Sequence, residues 1–260
     1  MTGFWSRILV AALGIPLVLW VVYLGGWPMF GLVAVGALVA LHELYWMTRT
    51  LRPVVLAGYL GALATLLGAT MGGTEWALAG LLGTLLVAFL IKGGISTVSV
   101  AVTILGVAWV GLGLAHALLL RDIDEHGALA VYTVLLAVWA GDAAAYFGGL
   151  LLGRHKLAPT VSPGKTWEGL IAGTLATIAV TFIALYEQSF LSIPESLALG
   201  AVIAIVAPLG DLFESALKRD AEVKDSGRLL GGHGGVLDRI DALLFTFAAA
   251  FYVIAAFGAA

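Results

Sequence analysis

Long apolar runs broken by short polar segments occupy most of this chain. A hydrocarbon core about 30 Å thick is crossed by roughly 20 helical residues. Nine runs are close to that length: Ile8–Leu24, Trp27–Met47, Pro53–Met71, Trp76–Ile91, Val98–Leu120, Ala128–Leu152, Gly169–Tyr186, Leu197–Ser215 and Val236–Phe257. The fourth is short and the third is rich in glycine. The runs are continuous rather than alternating, which predicts spanning helices and not the strands of a barrel. The expected fold is an all-α, polytopic integral membrane protein with about nine transmembrane helices. The first run follows Arg7 and shows no small-residue cleavage pattern before the second begins, so it reads as a retained helix and not a signal peptide.

Composition narrows the classes further. The 260 residues are 61% apolar and 11% charged, with a mean hydropathy of +1.05. Soluble domains run at about 45–50% apolar and about 25% charged, so a soluble enzyme, a disordered tail and a disulfide scaffold are excluded. The absence of cysteine removes disulfides, thiolate catalysis and cysteine-ligated metals. The 34 glycines suit close helix approach within a bilayer.

The net charge of −3 says less than where the charges sit. With the N-terminus and every second loop on one side, that side carries twelve of the thirteen Lys and Arg residues. Arg121 is the exception, and it lies beside Asp122, Asp124 and Glu125. The positive-inside rule makes the basic side cytoplasmic, with the N-terminus inside and the C-terminus outside. Two regions are expected: 1–127 with about five spans, and 128–260 with about four spans and two long basic cytoplasmic loops, 153–168 and 216–235.

The chemistry concentrates in Gly210–Asp241, GDLFESALKRDAEVKDSGRLLGGHGGVLDRID. Asp211, Ser215 and Lys218 stand at i, i+4 and i+7, one helix face if the eighth span continues that far. Asp238 and Asp241 stand at i and i+3 at the start of the ninth. Carboxylates from two helix ends suit a hard divalent cation such as Mg²⁺, which takes one or two carboxylates plus substrate phosphates. Lys218, Arg219, Lys224, Arg228 and Arg239 supply charge for an anionic ligand. Carboxylates beside bases are what phosphoryl and nucleotidyl transfer needs. His233, Gly234 and Gly235 precede a helix N-terminus, where backbone amides can approach an anion.

The loop GRHKLAPTVSPGKTWE offers Lys156, Ser162, Lys165 and Thr166. Its Gly-Lys-Thr ending is not a P-loop: the required first glycine falls at Pro159, and no preceding strand is expected. Asp142 in the sixth span and Glu43 in the second are intramembrane acids, expected to face a cavity or a partner. A salt-bridge network that only staples helices would explain some of these charges, but not two loops this rich in them.

The run Ser215, Lys218-Arg219, Lys224-Asp225, His233-Gly234-Gly235, Asp238-Arg239 and Asp241 resembles the signature of the phosphatidate cytidylyltransferase (CDP-diacylglycerol synthase) family, with each element at the family's spacing. HKLAPTVSPGKTWEG and GDAAAYFGG, with Asp142, are similar to the bacterial enzymes. The resemblance covers about a hundred residues, Asp142 to Asp241; the first five spans match only in character.

It implies transfer of CMP from CTP to phosphatidic acid, giving CDP-diacylglycerol and pyrophosphate for phospholipid synthesis. It also implies Mg²⁺ with K⁺ as a possible second cation, a homodimer in the lipid bilayer of the bacterial inner membrane, a site facing the cytoplasm, and no nucleic-acid partner. Asp211, Asp238 and Asp241 are the expected metal ligands. Ser215, Lys218, Arg219 and Arg239 join them in catalysis. Asp142, Lys156, Ser162, Lys165, Thr166, Lys224, Asp225, His233, Gly234 and Gly235 are expected to bind substrate, and Glu43 to line the same cavity as Asp142. The alternatives are a transporter with intramembrane carboxylates, to be tested by flux into proteoliposomes, and a related lipid kinase or transferase, to be tested by the nucleotide used.

Overall fold

The structure, a computed structural model, describes residues 2–92, 96–227 and 234–259. Among them, nine long helical segments follow one another, with a single 3₁₀ turn, Arg49–Leu51, after the second. They are α1 Thr2–Leu24, α2 Gly26–Met47, α3 (55–71), α4 (74–92), α5 Thr97–Arg121, α6 Gly127–Leu152, α7 Trp167–Leu185, α8 Ile193–Asp220 and α9 Leu237–Ala256. A short antiparallel hairpin, β1 Lys156–Ala158 with β2 Ser162–Thr166, lies between α6 and α7. The chain divides into two compact units: Met1–Asp122 with Ala221–Ile240, and Ile123–Asp220 with Asp241–Ala260.

In the first unit, Val55–Lys92 is not one long helix. Its backbone leaves helical geometry at Gly72 and at Gly73, where φ is +73°, a conformation only glycine adopts readily. The chain reverses there. A Cβ at Gly61 would strike Thr84, one at Gly80 the backbone of Ala64 and Thr65, and one at Gly68 the backbone of Trp76. The third and fourth expected spans are therefore the two arms of a helical hairpin, and their glycines let the backbones touch. Between apolar helices in lipid, close packing of this kind replaces the hydrophobic driving force.

Tyr45 locks α2 into this unit. It is buried, and its hydroxyl donates to the Thr103 carbonyl of α5 at 2.8 Å. Thr103 in turn accepts the Val54 amide at 2.8 Å. Gly58 and Gly106 flank the ring, where a Cβ would meet the phenol. A π-helical turn, Val107–Gly111, interrupts α5.

Arg121, the exception to the charge segregation, has a structural task. Its Nε donates to the Val22 carbonyl at 2.7 Å and its Nη2 to the Tyr23 carbonyl at 3.1 Å. These are among the last carbonyls of α1, which have no intrahelical partner. Gly25, at φ +63°, leaves room for the guanidinium. Arg121→Ala is expected to destabilise the protein by about 2 kcal/mol through loss of the charged hydrogen bonds. A thermal melt in detergent checks this; an unchanged midpoint would show that water caps α1 equally well.

In the second unit, α6 and α7 pack antiparallel along small residues. A Cβ at Gly141 would meet Thr177, one at Gly148 Ala172, one at Gly169 the Ala145 carbonyl and one at Gly173 the Gly141 carbonyl. Thr177 donates to the Ala137 carbonyl at 3.2 Å. α8 lies against α7 at Gly200, close to Ile178 and Thr181. It is longer at both ends than the apolar run that announced it, because Pro194 and Glu195 fit a first helical turn and the charged stretch to Asp220 stays helical. That extension puts Asp211, Ser215 and Lys218 on a single helix, as their spacing predicts.

Candidate active site

Within the second unit α6, α7, α8 and the β-hairpin line an open cavity of about 520 Å³, the size of an ordinary small-molecule site. Its wall is mostly apolar or backbone: Val138, Gly141, Gly149, Leu150, Leu170, Gly173, Ala204 and Pro208. Its polar groups are Asp142 and Tyr146 from α6, Ser162, Lys165 and Thr166 from β2, Thr174 and Thr177 from α7, and Asp211 from α8. The small residues that let α6 and α7 approach also leave room beside them. Pro208 deprives α8 of one backbone donor at the cavity wall.

The hairpin is latched to α8 at two points. Lys165 Nζ lies 2.8 Å from Asp211 Oδ2. Arg219 Nε donates to the Val161 carbonyl at 3.3 Å. At the hairpin's far end Thr166 caps α7, accepting the Gly169 amide on its hydroxyl at 3.1 Å. Glu168 spans the mouth of the hairpin, accepting the Arg154 amide at 3.1 Å and pairing with His155 Nδ1 at 2.6 Å. Lys156 is exposed on β1, opposite Thr166.

On α8, Ser215 donates to Asp211 at 3.4 Å, a long contact. Lys218 pairs with Glu214 Oε2 at 2.5 Å, and Glu214 is fully buried. Glu214 was legible only as an acid beside Ser215. Its i,i+4 spacing to Lys218 was the available signal. Asp241 is buried at the start of α9. There Gly210 allows α8 to approach the Asp241 and Ala242 backbone.

The remaining expected residues lie in the first unit. Asp238, in the first turn of α9, accepts the Gly235 amide at 2.7 Å and the Ser226 amide at 3.1 Å on Oδ2. Gly235 is buried, Gly234 takes φ +80°, and Arg239 is exposed. Lys224 and Asp225 are exposed in the connection from α8 to α9. His233 lies outside the described residues. Glu43 is buried against the segment that leads into α9.

Among the described residues no three His, Asp or Glu side chains form a ready set of metal ligands. Asp142 and Asp211 line one cavity with Lys165 and two helix threonines. Two carboxylates on one cavity lining suit a hard divalent cation, which completes its shell from water and substrate phosphates.

Helices long and apolar enough to span a membrane, lining a cavity that carries both apolar surface and the charges of Asp142, Lys165 and Asp211, define a membrane-embedded protein with a small-molecule site. The chain matches the cytidylyltransferase family over residues 5–257. It is 32% identical to the phosphatidate cytidylyltransferase of Bacillus subtilis (strain 168) over 264 residues, 97% of this chain and 98% of the relative. It is 33% identical to that of Staphylococcus epidermidis (strain ATCC 35984) over 249 residues, 92% and 94% of the two chains. It is 46% identical to that of Haemophilus influenzae over 123 residues, 45% and 43% of the two chains. The chain belongs to the cytidylyltransferase family.

Proposed function

We propose that this protein transfers CMP from CTP to phosphatidic acid, releasing pyrophosphate and forming CDP-diacylglycerol. Full-length similarity to phosphatidate cytidylyltransferases supports the reaction. The observation that carries it to a site is the cavity in the second unit, where apolar helix walls meet Asp142, Lys165 and Asp211. A lipid phosphate needs both halves of that lining.

The reaction requires little proton chemistry. A phosphate oxygen of phosphatidic acid, already anionic near neutral pH, attacks the α-phosphorus of CTP. The bond to the β-phosphate oxygen breaks and pyrophosphate leaves with its electron pair. What the protein must supply is charge compensation and alignment. A divalent cation, taken as Mg²⁺, would neutralise phosphate charge when bound. Asp211 and Asp142 are the cavity's carboxylates for holding it. Asp238 and Asp241 are the further metal ligands that the signature implies, with K⁺ the second cation on the same reading.

Lys165 offers an ammonium to a phosphate from β2 of the hairpin. Ser162, Thr166 and Ser215 offer hydroxyls. Lys218, Arg219 and Arg239 add positive charge, and Arg can pair with phosphate through two donors. Lys156, Lys224, Asp225, His233, Gly234 and Gly235 complete the expected substrate contacts. The asymmetry of Lys and Arg supports a site facing the cytoplasm of the inner membrane. A homodimer belongs to the same proposal.

Purified protein in detergent with phosphatidic acid, radiolabelled CTP and Mg²⁺ is expected to put label into lipid and release pyrophosphate, and EDTA is expected to abolish both. A folded sample that makes no labelled lipid would overturn the reaction. ATP-dependent labelling of a lipid alcohol would favour a kinase instead.

A further inference from the structure

Glu43 is a carboxylate on a spanning helix that the proposed chemistry does not use. It is 5% exposed. Its Oε1 accepts the Val236 amide at 3.0 Å, and its Oε2 accepts the Leu237 amide at 2.8 Å and the Ser226 hydroxyl at 3.2 Å. These partners sit nearly two hundred residues away in sequence, at both ends of the connection between α8 and α9.

The surroundings are shaped for this carboxylate. A Cβ at Gly227 would collide with Glu43, and one at Gly235 with both Glu43 and Ser226. The two glycines allow the backbone to close on the acid from both sides. The amides of Val236 and Leu237 are among the unpaired donors at the N-terminus of α9, where the helix dipole favours a negative charge. Tyr45, two residues along α2, fixes that helix against α5, so Glu43 presents its charge from a rigid support.

Asp238 holds the same stretch through other donors. It takes the Ser226 and Gly235 amides, while Glu43 takes the Ser226 hydroxyl and the next two amides. Ser226 is the shared link, its hydroxyl on one carboxylate and its amide on the other.

We propose that Glu43 is a positioning residue: it clasps the two ends of the connection between α8 and α9 and thereby fixes the orientation of the signature residue Asp238. This rests on the cytidylyltransferase reading, in which Asp238 serves the cation. Loss of the clasp would let the first turn of α9 move, and Asp238 with it.

Glu43→Gln is the sharpest variant, because both carboxylate oxygens accept from a backbone amide. An amide side chain can satisfy only one and turns a donor against the other. Two readouts separate positioning from mere stability. Hydrogen exchange of peptides covering 234–240 is expected to speed up about tenfold, as charged hydrogen bonds are lost. The Mg²⁺ concentration giving half-maximal CMP transfer is expected to rise by about tenfold, the usual scale for loss of an outer support to a metal site. Ser226→Ala, which removes one bond and leaves Glu43 intact, should move both readouts in the same direction by less, and it decides the matter if Glu43→Gln does not fold. Faster exchange with an unchanged Mg²⁺ dependence would reduce Glu43 to a helix cap and overturn the proposal, as would unchanged exchange. A wild-type protein without CMP transfer would instead overturn the reaction, and the exchange data would still decide whether the clasp exists.

Discussion

Asp211→Asn is expected to lower turnover by about 10²–10³-fold, the usual effect of removing one preorganised charge that stabilises a transition state. Asp211 lines the cavity, its Oδ2 faces Lys165 at 2.8 Å and its Oδ1 faces Ser215 at 3.4 Å. Asparagine keeps the shape and the hydroxyl contact but loses the charge. A neutral side chain can neither hold a divalent cation as tightly nor orient the Lys165 ammonium. The fold should be indifferent: the pair is more than a third exposed at Asp211, and such pairs contribute about 0–1 kcal/mol. Equal elution and melting with lost CMP transfer across a Mg²⁺ titration is therefore the expected outcome. Activity within about threefold of wild type would take Asp211 out of the site.

Legibility followed the length of the signal. Spanning helices announce themselves by runs of about 20 apolar residues, and even the short fourth run proved to be one arm of the hairpin turning at Gly72–Gly73. Helical spacing placed Asp211, Ser215 and Lys218 on α8 and Asp238 and Asp241 at the start of α9. The β-hairpin was not legible. Its strands are three and five residues long, too short for an alternating pattern, and the second contains Pro163 and Gly164. It is held by contacts to α8 from residues about fifty positions away, Lys165 to Asp211 and Arg219 to Val161. No local pattern encodes such pairings.

Charged residues were legible in kind but not in partner. Arg121 looked like a stray outer charge and is a helix cap. Lys218 was read as charge for an anionic ligand, and its pairing with buried Glu214 had no such announcement. Glu43 was expected to face a cavity or a partner, and its partners are backbone amides and a serine hydroxyl. In each case the sequence carries the cost of an ion near hydrocarbon, while the chain's long-range path decides what compensates it.

Lys165→Ala is expected to lower kcat/KM for CTP by about 10²-fold, with the larger part in KM if the ammonium holds a phosphate in the ground state. Lys165 has two tasks that the variant alone would confuse. It supplies charge at the cavity, and it pins β2 to α8 through Asp211. Limited proteolysis at the hairpin turn, residues 159–161, reports the second task. Arg219 still ties Val161 to α8 in the variant, so the turn should stay protected while activity falls. Lys165→Arg keeps the charge but replaces a compact ammonium with a planar fork, so it should recover only part of the loss. The combination with Asp211→Asn is the decisive step. Two groups that act as one unit lose little more together than the worse one loses alone. Additive losses would mean that Lys165 and Asp211 serve the substrates separately, and that the pair joins the hairpin to α8 without coupling their chemistry.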